Sequence, residues 1–359
     1  MNISELQRLN EYSFEIGPIR PPSEGGKYSL LVRVTRNCPW NLCKFCYGTL
    51  YNRERFELRP LEEIKRDVQT MKFISDDLTS AIRKLGYSLV QTELHLVSSP
   101  SVITVFNWLA SGGRTAFLQD ADSLIMRTSE LQEAIRYLKQ TFPSIQRITS
   151  YARAKTLAQK TKSLEDLKEL RKAGLTRLHV GLETGDDELL RFVNKGVTSE
   201  EQIAAGRKVK EAGIELSEYV MPGLGGKTMM ERHAKNTAKV LNAINPDYIR
   251  LRPFVPRRGT PLFEECEKGK FELTSPHERL REIRMLVENL DVTSRLCFDH
   301  FVNAWYREPH RNYPLFKRDF EGYKLPEEKN KVLALIEEGL AINESTHIHV
   351  RDLMKIPYL

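Results

Sequence analysis

Three cysteines fall within nine residues, in the stretch Cys38-Pro-Trp-Asn-Leu-Cys43-Lys-Phe-Cys46. The other two, Cys266 and Cys297, stand alone. A disulfide framework spreads its cysteines and needs an oxidising compartment, whereas clustered thiolates are soft metal ligands. Three thiolates on one short loop can each bind one iron of a cubane cluster. The usual complement is four, so three leave one iron with an open position. Zinc is the competing metal. A structural zinc site wants a fourth ligand at close, matching spacing, and His95, the nearest histidine in sequence, does not supply that pattern. Cys266 and Cys297 are too few to hold a second cluster.

Other residues carry charge in patterns suited to binding. Arg250 and Arg252 stand two apart in an extended run, so both side chains point the same way. Facing inward they form a paired site for carboxylate or phosphate; facing outward they are solvated. Leu251 between them suits a helix-facing side, which turns the arginines inward. His179 and Tyr219 lie on other extended runs, either as substrate contacts or as buried, hydrogen-bonded side chains. Asp299 and His300, in Cys297-Phe-Asp-His-Phe-Val-Asn303, suit a proton relay, a substrate contact or a packed turn.

These residues need a scaffold, and the apolar pattern outlines one. Six strand-like runs cover 29–36, 115–119, 147–153, 177–183, 214–221 and 248–255. Amphipathic stretches lie between them, at 129–141, 163–173, 199–212 and 229–244, with apolar residues three or four apart. Ser163 and Ser199 suit N-caps, and Gly174 and Gly213 suit C-terminal caps. Strand–helix alternation implies parallel strands with right-handed crossovers. Six units predict an α/β fold, a partial (β/α)6 barrel, whose chemistry gathers at the C-terminal strand ends. The cysteines, Asp120, Arg153, Glu183, the Gly223–Gly226 turn and Arg252 fall at or near such ends. Residues 1–28 read as an N-terminal arm and 29–260 as the barrel. The first crossover looks helical over 60–75 and inserted over 80–113, with apolar Leu94, Leu96, Val102, Val105 and Trp108. After Pro261 the barrel pattern stops, and 261–359 read as a mostly helical extension, with helices about 276–290 and 326–340, covering the barrel.

The cysteine motif resembles the radical S-adenosylmethionine (SAM) signature, with Phe45 at the aromatic position before the third cysteine. The first gap is one residue longer than the commonest form, and the Cys-Pro-Trp-Asn variant is similar to a set of uncharacterised radical SAM proteins. The resemblance covers about 29–256 and implies a [4Fe–4S] cluster on Cys38, Cys43 and Cys46. It implies SAM on the open iron, an electron donor such as flavodoxin or ferredoxin, and oxygen sensitivity. It implies reductive cleavage of SAM to a 5′-deoxyadenosyl radical that abstracts hydrogen from a small organic substrate. Asp120 and Asp122 match the segment that receives the SAM ammonium, though Asp is also a common turn residue. The stretch 181–196 resembles oxygen-independent coproporphyrinogen oxidase and the elongator-type core. There Glu183 matches the ribose-binding residue, and Lys195, twelve positions on, the basic residue for the SAM carboxylate. Lys in place of Arg exchanges a bidentate fork for a point charge. Ser150 and Arg153 are further cofactor candidates, and Gly223 in its turn lets backbone approach the adenine.

Composition bounds the rest. The 359 residues carry a formal charge of +7, with 40% hydrophobic and 29% charged residues. A mildly basic surface suits an anionic small molecule or nucleic acid, but Lys and Arg form no basic block. No apolar run spans a bilayer, and the first residues have neither the basic start nor the apolar core of a signal peptide, so a cytoplasmic protein without membrane contact is expected. The lone cysteines argue against the methylthiotransferase type, and a 28-residue arm leaves no room for a cobalamin domain. The leading expectation is hydrogen abstraction from an anionic organic substrate. A heme carrier or chaperone on the same scaffold and an RNA-modifying enzyme are the alternatives.

Overall fold

The computed structural model describes residues 8–19, 29–46, 54–93 and 99–356. Leu94, His95 and Leu96 lie outside them. In chain order the strands are β1 Leu30–Arg33, β2 Thr35–Arg36, β3 Glu57–Leu58, β4 Thr115–Gln119, β5 Arg147–Ala152, β6 Leu175–Glu183, β7 Glu215–Val220, β8 Tyr248–Leu251, β9 Arg295–Cys297 and β10 Tyr323–Lys324. The helices are α1 Leu61–Leu85, α2 Tyr87–Glu93, α3 Pro100–Ala110, α4 Thr128–Thr141, α5 Ala154–Ala158, α6 Leu164–Ala173, α7 Asp187–Phe192, α8 Ser199–Glu211, α9 Met230–Ile244, α10 Pro261–Glu267, α11 Pro276–Glu288, α12 Lys329–Ala341 and α13 Val350–Leu353.

The chain divides into two compact units. The first comprises 1–39, 55–151 and 165–178, and the second 40–54, 152–164 and 179–359. Within the first, the hydrogen-bonded strand order is β1-β4-β5 and then the start of β6; within the second, the end of β6 is followed by β7-β8-β9-β10. In the first unit β1 and β4 pair in parallel from Leu30↔Ala116 to Arg33↔Gln119, and β4 and β5 from Thr115↔Arg147 to Leu118↔Ser150. Near-continuous burial of Leu30, Leu31, Val32, Ala116, Phe117 and Leu118 is what parallel strands covered on both faces require. The arm joins this unit. Gln119 accepts from Gly17 N–H and donates to the Gly17 and Ile19 carbonyls, and the Phe14 N–H donates to Ser101.

In the second unit β7 and β8 pair in parallel from Ser217↔Tyr248 to Val220↔Leu251. A further parallel strand follows, β9, in register Tyr248↔Arg295, and β10 then returns antiparallel. The barrel pattern therefore does not stop at Pro261. Three residues are too few for a periodic signal, which hides β9 in the sequence. Two other expectations shift. Helix α1 runs ten residues past 75, to Leu85, because Ile74, Leu78 and Ala81 continue its buried stripe. The cap of α8 is Thr198, one residue earlier than Ser199, in a reciprocal capping box with Glu201. Ser199 instead donates from Oγ to Asp187 at 2.9 Å. Ser275 and Glu278 form the same box at α11, with Pro276 in the first helical position. Among the described residues no helix is long and apolar enough to cross a membrane.

Candidate cofactor site

The loop after β2 carries the cysteines. Cys38, Cys43 and Cys46 are half-buried and outside any disulfide. A turn ends the motif, with Cys46 N–H donating to the Cys43 carbonyl at 3.0 Å. In the second unit this loop lies on the segment that ends α7. Lys44 N–H donates to the Val193 carbonyl at 2.9 Å and its carbonyl accepts from Leu262 N–H at 3.1 Å. Lys44 Nζ also reaches Glu265 at 2.9 Å and lies 4.4 Å from the Phe192 ring centre. Phe45 packs on a cluster that includes Leu189, Val193, Phe254 and Leu262.

Glu183 ends β6 with φ of +62°, a left-handed conformation that a non-glycine residue holds at a cost of order 1–3 kcal/mol. Its Oε1 accepts from Lys195 Nζ at 2.8 Å, and both side chains are largely buried. The pair lies over Gly181, where a Cβ would fall 2.3 Å from Glu183 Oε1 and 3.0 Å from Lys195 Nζ. Burial pulls the Lys195 ammonium toward deprotonation, but Glu183 and then Cys43 outweigh it, and the net shift is upward. Lys195 Nζ is 5.6 Å from the Phe45 ring centre, and Arg153 donates to the Lys195 carbonyl at 3.2 Å. The residues predicted for SAM on this unit, Phe45, Arg153, Glu183 and Lys195, thus come together beside Cys43. Sequence reasoning passes over Glu218, on β7. It is fully buried, its Oε2 has no hydrogen-bond partner, and burial followed by the charge of Glu183 raises its pKa well above the carboxylate range. The signal was a Glu within a buried strand, between Leu216 and Val220.

Other predicted residues have partners from the protein itself. In the first unit Asp120 accepts at Oδ2 from Arg33 Nε and Nη2, at 3.0 and 2.7 Å, and from Asn37 N–H, while Oδ1 has no hydrogen-bond partner. Asp122 is buried at the start of a 3₁₀ turn, Ser123–Ile125. Ser150 Oγ donates to the Leu118 and Tyr151 carbonyls. In the second unit Gly223, φ +85°, is covered by Arg279, whose guanidinium lies 2.7 Å from where a Cβ would stand. Its N–H donates to Glu282 at 2.8 Å. Glu282 also lies 3.3 Å from His233 Nε2. Burial pushes Glu282 up to about 8 and His233 down to about 4.

Arg250 and Arg252 meet on one carboxylate. Asp299 receives both nitrogens of Arg252 at 3.1 Å and stands 3.4 Å from Arg250 Nη1. Arg250 is fully buried; its Nε donates to Ser217, and neither terminal nitrogen makes a hydrogen bond. Tyr219 lies between the His179 ring, 5.8 Å away, and the Arg252 guanidinium, 5.0 Å away. Asp299 is thus held by arginines rather than by His300. His300 Nδ1 accepts from Val302 N–H at 3.3 Å, and burial lowers its pKa to about 3.

Parallel β/α units, with a cysteine loop at one strand end and a buried Lys–Glu pair at another, define an α/β protein. Residues 105–236 match the Radical SAM superfamily profile, a segment that begins after the cysteine loop. The chain is similar to the tRNA uridine(34) acetyltransferase of Methanocaldococcus jannaschii, at 29% identity over 30% of this chain and 20% of that one. It is 24% identical to mouse Elongator complex protein 3 over 57% of this chain and 36% of that one. It is 29% identical to the heme chaperone HemW of Bacillus subtilis over 35% and 32% respectively. These matches span a third or so, or less, of the relatives' own lengths. Over residues 105–236 the chain is therefore similar to the radical SAM superfamily. The cofactors of that superfamily are a [4Fe–4S] cluster and SAM.

The cysteine loop fits such a cluster by its donor chemistry. Its three thiols lie outside any disulfide, and cationic Lys195 and Arg257 stand near enough to Cys43 and Cys46 for the charges to interact, the setting that favours thiolate. Among the described residues no three His, Cys, Asp or Glu side chains are already gathered as around a single metal ion.

Proposed function

We propose that Cys38, Cys43 and Cys46 hold the cluster and that the chain uses SAM to abstract hydrogen from an anionic organic substrate. The observation that carries the reading is the buried Lys195–Glu183 pair beside the Cys43 loop. A lone ammonium there would be costly to bury; paired, it can exchange part of its bond to Glu183 for the carboxylate of SAM. Glu183 remains as acceptor for ribose hydroxyls, and Phe45 and the apolar cluster beneath it exclude water. Asp120 and Asp122 keep the role the resemblance implies, as acceptors for the ammonium of SAM. Bound there, cluster and SAM supply the one-electron carbon–sulfur cleavage and the hydrogen abstraction.

Two guanidiniums on one carboxylate, Arg250 and Arg252 on Asp299, leave an excess positive charge in a buried place. That excess supports an anionic substrate group. Arg250→Gln and Arg252→Gln are expected to spare uncoupled 5′-deoxyadenosine formation and to lower turnover of a stimulating substrate at least tenfold. Equal rates with and without both substitutions would remove the anion site.

The name of one relative, a tRNA uridine(34) acetyltransferase, favours a second reading, a tRNA substrate, and the positive net charge suits it. Bulk tRNA, a pool of anionic metabolites and heme, each added to the reduced, reconstituted protein, separate the readings. A rise in 5′-deoxyadenosine with tRNA alone replaces the small-molecule reading. Tight heme binding with little 5′-deoxyadenosine under any condition replaces both with a carrier.

A further inference from the structure

The gap between the first two cysteines holds four residues, Pro39-Trp40-Asn41-Leu42, and two of them grip one turn. The Trp40 indole N–H donates to the Asn194 carbonyl at 2.7 Å, and Asn194 Nδ2 donates back to the Leu42 carbonyl at 3.2 Å. The next residue but one repeats the attachment, Lys44 N–H to the Val193 carbonyl at 2.9 Å. The turn itself is shaped to receive the indole. Asn194 has φ of +53° and Gly196 of +72°. A Cβ on Gly196 would stand 2.6 Å from the Trp40 ring, closer than two carbons approach. The ring also meets the Arg153 guanidinium, 5.3 Å from its centre, and that same guanidinium donates to the Lys195 carbonyl. Lys195 lies between the two residues, Asn194 and Gly196, that the indole contacts.

We propose that Trp40 and Asn194 are positioning residues that clamp the cysteine loop to the 193–196 turn, so that the cluster ligands and Lys195 move as one piece. The clamp rests on the reading of Cys43, Cys46 and Lys195 given above. Its chemistry is ordinary: an indole N–H to a carbonyl, a side-chain amide to a second carbonyl, and a ring seated where only glycine leaves room. Its consequence is specific. A loop held only by its own cysteines could bind iron while the lysine drifted, and SAM needs both at a fixed separation, because misplacement by about 1 Å is costly. The longer first gap supplies the residues that make the attachment.

The test uses the full chain with Trp40→Ala, Trp40→Phe (which keeps a ring and loses the N–H), Gly196→Ala, the Trp40→Ala/Gly196→Ala double variant and Lys195→Ala. In the iron-free protein, amide exchange at Lys44 is expected to quicken at least tenfold in Trp40→Ala, with core-strand amides unchanged and thus the fold intact. After anaerobic reconstitution, Trp40→Ala should lose both iron retention and, at least tenfold, SAM affinity, read from the SAM-induced change in the electron paramagnetic resonance spectrum of the reduced cluster. Lys195→Ala should lose SAM affinity alone. Gly196→Ala should be harmful with Trp40 present and add much less in the double variant, since the clash has gone. Wild-type exchange at Lys44 in Trp40→Ala overturns the clamp itself, as do additive effects of Trp40→Ala and Gly196→Ala. A wild-type chain that takes up no iron, with Lys44 still loosened in Trp40→Ala, overturns the functional reading and leaves the clamp standing.

Discussion

Lys195 and Glu183 face each other at 2.8 Å in a largely buried place, where each charge is tolerable because of the other. Lys195→Ala removes one partner and has two expected effects. SAM affinity falls by a factor of about 10 to 100, the loss of one charged hydrogen bond worth about 1.5–3 kcal/mol, while iron content holds; titration of the reconstituted protein checks it. Thermal stability also falls, because Glu183 is left without its cation. Glu282 offers a pH test. Burial, opposed by Arg279 and the Gly223 N–H, raises its folded pKa to about 8, above the ordinary 4.5. The folded chain therefore holds that proton more tightly than the unfolded one, and the contribution is present below pH 4.5 and lost as pH rises toward 8. Glu282→Gln mimics the protonated acid. Its melting temperature should match wild type near pH 5 and exceed it near pH 8. A constant difference across that range would show that Glu282 is not the titrating group.

At the scale of elements, strand β6 and the turn after it do most of the positioning. Asp186 accepts from Leu189 N–H to cap α7, and Gly185 N–H donates to Thr237 on α9. A Cβ at Gly185 would stand 2.5 Å from the Asn236 carbonyl and 2.8 Å from Thr237 Cα. Both are backbone, so neither can swing aside. Gly185→Ala is expected to destabilise by about 1–3 kcal/mol, as overpacking does, and to lower SAM affinity through the displaced end of β6; denaturant unfolding and SAM titration read the two effects. Ser275→Ala, which breaks a capping box far from Lys195 in sequence, should cost about 1 kcal/mol and leave SAM affinity unchanged.

At the scale of the molecule, the three-cysteine motif predicts about four irons per chain after anaerobic reconstitution. Cys38→Ala, Cys43→Ala and Cys46→Ala should each abolish the cluster and 5′-deoxyadenosine formation. Full cluster absorbance in the triple variant would refute the assignment. The long alternating stretches, the cysteine motif and the strand ends were legible in the sequence because they are set by local periodicity and spacing. That suffices for strands β4 to β8, for the likeness to the superfamily, and for the separation of Glu183 and Lys195. What needed tertiary structure was who meets whom. Arg250 and Arg252 read as a bare pair until Asp299, forty-seven residues beyond Arg252, supplied their counterion. Gly223 read as a turn open to backbone approach, and only the fold brought Arg279 from α11 over it. The roles of Glu218 and Trp40 needed the fold, since the partners of a buried acid and of a tryptophan seated on glycine are distant in the chain. Spacing along the chain decides which groups are available; packing decides which of them already have a partner.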